Sequence, residues 1–171
     1  MKAAMGLLGG AALALASTAQ AAGPTDPEIA HIAYTAGNID IAAAKQALAK
    51  SHNATVRAFA KEMVRDHQAV NDKALALVKE LKVTPKDNAT SEALSKQAAA
   101  TLKRFAKLNA HDFDHAYLKN EVAYHGTVNS ALKTTLIPSA NNAQLKSLLE
   151  TGLTLFTEHQ KHAEHLAAAM K

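Results

Sequence analysis

A chain of 171 residues with no cysteine, no tryptophan, 7 glycines and 4 prolines has material for one helical core, and it has no disulfides and no thiolate ligands to hold that core together. Its formal net charge of +4 is mild, and the charges alternate in sign along every segment, which reads as solvated helix surface and excludes a polybasic patch for nucleic acid or anionic lipid. No glycine-rich phosphate loop, nucleophile elbow or His-Glu-x-x-His occurs, so ordinary hydrolase and nucleotide chemistry is set aside.

The first residues are Met1-Lys2, a small-apolar run from Ala3 to Ala16, and Thr18-Ala19-Gln20-Ala21. One positive charge, an apolar stretch too short to anchor in a bilayer and a small-x-small site predict a secretory signal over residues 1–21, cleaved near Ala21, with residues 22–171 as the mature domain. Removal of Lys2 leaves 18 basic and 15 acidic residues, a net charge of +3. No other segment is apolar enough to cross a membrane, so the expected location is the periplasm or the cell exterior.

The rest of the chain predicts helices and no strands. A first helix starts at Thr25-Asp26-Pro27-Glu28, with either Asp26 or Thr25 as its cap, and runs to about Lys50. Its apolar positions Ile29, Ala33, Ala36, Ala43 and Ala47 keep three/four spacing, and Asp40 falls in the gap between Ala36 and Ala43. A second helix, capped by Asn53, runs to about Leu81; along its seam Val56, Phe59, Met63, Val70, Ala74 and Leu77 are interrupted only by His67. Thr84-Pro85 breaks it, and a shorter helix from Ser91 carries Leu94, Ala98, Leu102, Phe105 and Leu108. A further long helix begins near His111 to Phe113 and ends before Pro138, with Asp114, Leu118, Glu121, His125, Val128 and Leu132 on one seam. The last follows Asn141 and aligns Leu145, Leu149, Gly152, Phe156, His159, Ala163 and Leu166. Two hairpins joined by a long crossover that contains an extra helix make an all-α, ferritin-like four-helix bundle.

Four helices each place a metal-capable side chain on the stripe that faces the core: Asp40, His67, His125 and His159. Burying imidazole or carboxylate without a partner costs about 2–7 kcal/mol on transfer scales. Two readings satisfy the set: a metal ion held by the histidines with a carboxylate, or a hydrogen-bonded polar layer, with or without Tyr117 and Tyr124, that fixes helix register. At about 1.5 Å of rise per residue, Asp40 and His67 share a layer, whereas Glu121 matches His159 better than His125 does. The simplest site therefore uses His67, His159, Asp40 and Glu121, with His125 nearer the last turn unless the helices slide or bend. The full candidate ligand set is His67, His125 and His159 with Asp40, Asp114 or Glu121. Glu62, Asp66 and Glu158 lie beside the seam as supporting candidates, and His162 and His165 read as solvated groups. A di-iron centre wants a Glu-x-x-His from each of two helices, but the chain has only Glu28/His31. A histidine-rich mononuclear site for zinc, copper or iron fits the residues better.

The stretches Ala36-Gly37-Asn38-Ile39-Asp40, Val56 to His67, Phe113-Asp114-His115-Ala116-Tyr117-Leu118 leading to His125, and Glu158-His159 resemble a bacterial family of small exported proteins known as a domain of unknown function. The family is placed among ferritin-like folds and often labelled an outer membrane protein. The resemblance covers almost the whole mature chain and implies the fold, with no settled activity. The family usually has glutamate at the position of Asp40 and Leu-Pro where this chain has Leu153-Thr154. An outer membrane label fits poorly with a sequence that has neither a barrel pattern nor an anchor.

The resulting expectation is an exported bundle that binds a transition metal in its core, in metal handling or envelope stress protection. The alternative is a metal-free envelope or stress protein that binds a partner through its surface. An enzyme is the weaker expectation, and would be a metal-dependent oxidoreductase.

Overall fold

The structure is a computed structural model and describes residues 23–170; the expected signal over 1–21 lies outside the described residues. Helix α1 (Asp26–Lys50) and helix α2 (Ala54–Glu80) form one antiparallel hairpin, and α3 (Ala89–Ala106) crosses over to α4 (Ala110–Ala131). The α4 axis continues through a π-helical stretch, Leu132–Leu136, and a last turn, Ile137–Ser139, before α5 (Ala143–Ala169) returns antiparallel to it. Among the described residues there is no strand, and no helix is long and apolar enough to cross a membrane. The chain is an all-α bundle: α1 packs along α2, α4 along α5, and α3 lies against α1.

Local chemistry sets the helix ends. Thr25 precedes α1, and the Glu28 carboxylate accepts from the Thr25 backbone N–H at 2.9 Å and its hydroxyl at 2.7 Å, which resolves the open choice of cap. Asp26 is left free to bridge two elements. Its carboxylate accepts from the backbone N–H groups of Asn141 and Asn142, each at 2.9 Å, and ties the α4–α5 turn to the start of α1. The side chains of Asn53, Asn88, Asn109 and Asn142 cap the other four helices.

Pro138 does not end the helix before it. It sits in the first positions of the short Ile137–Ser139 turn, where proline's missing N–H is least costly because the preceding π stretch has already loosened the hydrogen-bond ladder. The α4–α5 turn is consequently only Ala140–Asn142.

The core falls into two apolar clusters. One gathers Ala44, Ala47, Phe59, Met63, Phe105, Phe113, Tyr117 and Leu118 at the end near the α1–α2 turn. The other gathers Ile29, Ile32, Leu132, Leu136, Leu145, Leu149 and Phe156 at the opposite end. On α1 the expected Ile29, Asp40, Ala43 and Ala47 are buried and are joined by Ile32, Ile41 and Ala44, while Ala33 and Ala36 are only half-buried. Between the two clusters lies a polar layer.

Candidate metal centre

Five of the six expected site residues meet in that layer, contributed by four helices: Asp40 from α1, His67 from α2, Glu121 and His125 from α4, and His159 from α5, each at most 3% exposed. The centroids of the three imidazole rings are 5.4 Å apart for His67 and His159, 5.5 Å for His125 and His159, and 5.6 Å for His67 and His125. One nitrogen from each ring lies within 4.8 Å of the other two, and ligand atoms of Asp40, Glu121 and His125 form a second such triad.

Two expectations are corrected. His125 is not displaced toward the last turn; it stands level with His67 and His159. Because the α4 axis runs through Pro138, the turn centres on Asn141, and His125 and His159 are 16 and 18 residues from it. Asp114 is the residue that stands apart. It is buried on α4 two turns before Glu121, with one carboxylate oxygen lacking a hydrogen-bond partner among the described residues, and it belongs to neither triad.

The hydrogen bonds around the rings fix which nitrogens face inward. His159 Nε2 lies 3.1 Å from Asp66 Oδ2, and Asp66 is held ionised by its bonds to the Arg65 guanidinium, which lower its pKa against a partial burial that would raise it. A carboxylate only accepts, so Nε2 carries the proton and Nδ1, buried and otherwise unpartnered, presents its lone pair to the interior. His125 repeats the arrangement with its ring reversed. Its Nδ1 donates to the backbone carbonyl of Glu121 at 3.1 Å, and Nε2 faces the layer. Neither nitrogen of His67 has a hydrogen-bond partner among the described residues, and its ring stacks on Phe156 at 4.6 Å with planes 9° apart.

Asp40 Oδ2 sits 3.5 Å from both His67 Nε2 and His125 Nε2. That is well beyond the usual ~2.9 Å of an N–H···O bond, so the carboxylate stands between the imidazoles without closing on either. Glu121 Oε2 approaches His125 Nδ1 at 3.6 Å.

Burial sets the protonation states. It pushes Asp40 up to about 7 and holds Glu121 well above the usual carboxylate range, where the neighbouring Asp40 charge pushes it further. The same loss of hydration lowers His125 to about 4, with the His159 charge adding to it. It also holds His67 well below the ordinary histidine value, and lowers His159 despite the opposing Asp66 carboxylate. The layer at neutral pH therefore combines neutral imidazoles, which are metal-ligating forms, with carboxyls that carry protons a cation would displace.

Asp66, a supporting candidate beside the seam in the sequence, is the residue that orients His159. The seam pattern also passes over two buried asparagines, each one turn beyond a histidine. Asn129 donates to the Phe156 carbonyl at 3.2 Å and to Gln160 Oε1 at 3.0 Å. Asn71 donates to Asn38 Oδ1 at 3.1 Å and packs on Gly37, where a Cβ would run into its amide oxygen. The i, i+4 spacing from His125 and His67 is the signal that would have found them. The tyrosines do not complete a histidine layer. The Tyr124 hydroxyl donates to the Ala36 carbonyl at 2.9 Å, and that of Tyr117 has no partner among the described residues.

The fold and the site together define an all-α bundle with a buried imidazole–carboxylate cluster. The pattern of the family described as a domain of unknown function (DUF4142) matches residues 11–166, and the chain belongs to that family. Neither curated proteins nor solved structures yield a match.

Proposed function

We propose that the protein binds one divalent transition-metal ion, zinc, copper or iron, in the ferritin-like bundle's core through His67, His125 and His159, with Asp40 as the fourth ligand and Glu121 beside it. The observation that carries this reading is the convergence of three imidazole nitrogens from three helices within 4.8 Å, two of them with their second nitrogen already bonded to an acceptor. Nitrogens around a tetrahedral ion with bonds near 2.1 Å stand about 3.4 Å apart, so modest side-chain rotation closes the set. A carboxylate or carbonyl behind a ligating histidine raises its basicity and fixes its tautomer.

A hydrogen-bonded layer without metal accounts for the cluster less well, because neither nitrogen of His67 has a hydrogen-bond partner among the described residues and Asp40 stands 3.5 Å from both His67 and His125. The signal-like residues Met1 to Ala21 support export to the periplasm or beyond, where a core site of this kind serves metal handling or protection of the envelope.

Elemental analysis of untagged protein, exported through its own leader, tests the reading: about one equivalent of metal is expected, with its loss in a folded His67→Ala variant. Wild-type protein that leaves its native compartment without metal and fails to take up Zn²⁺, Cu²⁺ or Fe²⁺ refutes it.

A further inference from the structure

On the side turned away from the core layer, His159 meets a second group of metal-capable side chains. Glu62 and Asp66 stand one turn apart on the face of α2 turned toward α5, and one ligand atom from each lies within 4.8 Å of the other and of a ring nitrogen of His159. The nitrogen on this side is Nε2, 3.1 Å from Asp66 Oδ2. One turn further along α5, His162 places Nδ1 3.0 Å from Glu62 Oε2 and packs edge-on against Phe59, with ring centroids 5.2 Å apart. His162 therefore steadies Glu62 much as Asp66 steadies His159.

This group opens to solvent, which the core layer does not. The side chains of Asp66 and Glu62 are 15% and 31% exposed, against 2% for His159. Two carboxylates at i and i+4 repel one another on a helix surface, and a pair of surface acids is by itself unremarkable. The buried imidazole sets this pair apart, because it is fixed in the core and presents one nitrogen outward to both acids. The cation paired with them is Arg65, whose guanidinium donates to Asp66 Oδ1 at 2.6 Å and Oδ2 at 2.9 Å. That side chain is largely exposed, so the pair is weak and a bound ion can displace it.

We propose that Glu62, Asp66 and His159 form a second, solvent-facing site for a divalent cation of the manganese kind, with water completing its coordination. Two carboxylates and water suit a hard cation, and the imidazole favours one that also takes nitrogen. His159 serves this ion through Nε2 once the ring proton moves to Nδ1, the other tautomer of the neutral imidazole. The ring then has no lone pair left for the core, so filling one site weakens the other. The outer site needs neither His67 nor Asp40, and it is measurable whatever the fate of the core reading.

The test is Mn²⁺ binding to the chelator-treated protein, counted by loss of the six-line electron paramagnetic resonance signal of the free aqua ion. One saturable site is expected with a Kd of about 0.1 mM, in the range of weak oxygen-rich sites. Glu62→Gln should weaken it about tenfold, and Arg65→Gln, which removes the competing cation, should tighten it about threefold. A folded His67→Ala variant should keep this site. Mg²⁺, which sheds its water reluctantly, should displace the Mn²⁺ only at about tenfold excess or more. The assignment is overturned by the absence of saturable binding below about 1 mM, by equal affinities in wild type, Glu62→Gln and Arg65→Gln, by loss of all Mn²⁺ binding in His67→Ala, which would place the ion in the core, or by displacement at equal Mg²⁺, which would leave His159 out of the set.

Discussion

Asp66 Oδ2 and His159 Nε2 meet at 3.1 Å across the α2–α5 interface, and the bond turns the other nitrogen of His159 toward His67 and His125. Asp66 stands one residue before His67 in sequence, so a single turn of α2 supplies both a candidate ligand and the group that aims another.

Replacing that carboxylate should therefore weaken metal binding without removing a ligand. Asp66→Ala is expected to lower affinity by about 10–100-fold, the usual effect of deleting the partner of a ligating histidine. Competition against a chromophoric chelator measures it. Asp66→Asn, whose amide oxygen still accepts, should retain more of the affinity than the alanine variant. Equal affinities in wild type and both variants would mean that His159 needs no such orientation.

Tyr124 supplies a contrasting variant within the same layer. Its hydroxyl bonds to the Ala36 carbonyl at 2.9 Å and to none of the imidazoles. Tyr124→Phe should cost about 0.5–1.5 kcal/mol in denaturant unfolding and leave metal stoichiometry unchanged. Loss of metal with this substitution would place the tyrosine in the site after all.

Asp40→Asn should have opposite effects with and without metal. In the folded protein burial pushes the Asp40 carboxyl up to about 7 from an ordinary value of 3.8. The stability linked to this proton is fully present below the ordinary value and is lost as pH rises toward the folded one, because the unfolded chain ionises first. Asparagine does not titrate. Chelator-treated Asp40→Asn should thus gain on wild type steadily between about pH 4 and pH 7 and hold its advantage above that. With saturating Zn²⁺ the order should reverse, since a ligand that binds only the native state stabilises according to its affinity. Thermal melts at two pH values, with and without zinc, give the four numbers needed. Parallel behaviour of the two proteins in all four conditions would show that Asp40 carries neither the proton nor the metal.

The helices are legible in the sequence because hydrophobic spacing and a cap such as Asn53 are local properties: the α2 seam from Val56 to Met63 and the α5 seam from Leu145 to Leu166 are buried at the positions the 3.6-residue period picks out. The relation between helices is not. Proline is a breaker in isolation, so the passage of the α4 axis through Pro138 leaves no local sign, and with it the height of His125 is hidden. Asp66 looks like any charge paired with its neighbour Arg65, and nothing in its own helix reveals that α5 brings His159 to it. On α1, small residues mark both a close-packed face and the wall of a cavity; Ala44 and Ala36 are alike in sequence, and only the neighbouring helices separate them.

The protons displaced on metal binding report which groups the ion meets. At pH 6 His125, brought down to about 4, is neutral, and burial lowers His67 and His159 from the ordinary histidine value, whereas Asp40 lies at about 7 and Glu121 is raised well above the carboxylate range. A divalent ion entering the layer must therefore release protons from carboxyls, roughly one to two per ion at pH 6, and fewer at pH 8, where Asp40 is already ionised. Isothermal titration calorimetry in buffers of different ionisation enthalpy counts them directly. Asp40→Asn should remove about one proton from the count at pH 6 and little at pH 8. Had the imidazoles held the protons, Asp40→Asn would leave the pH 6 count unaltered. No release at pH 6 would mean that the ion binds away from Asp40 and Glu121.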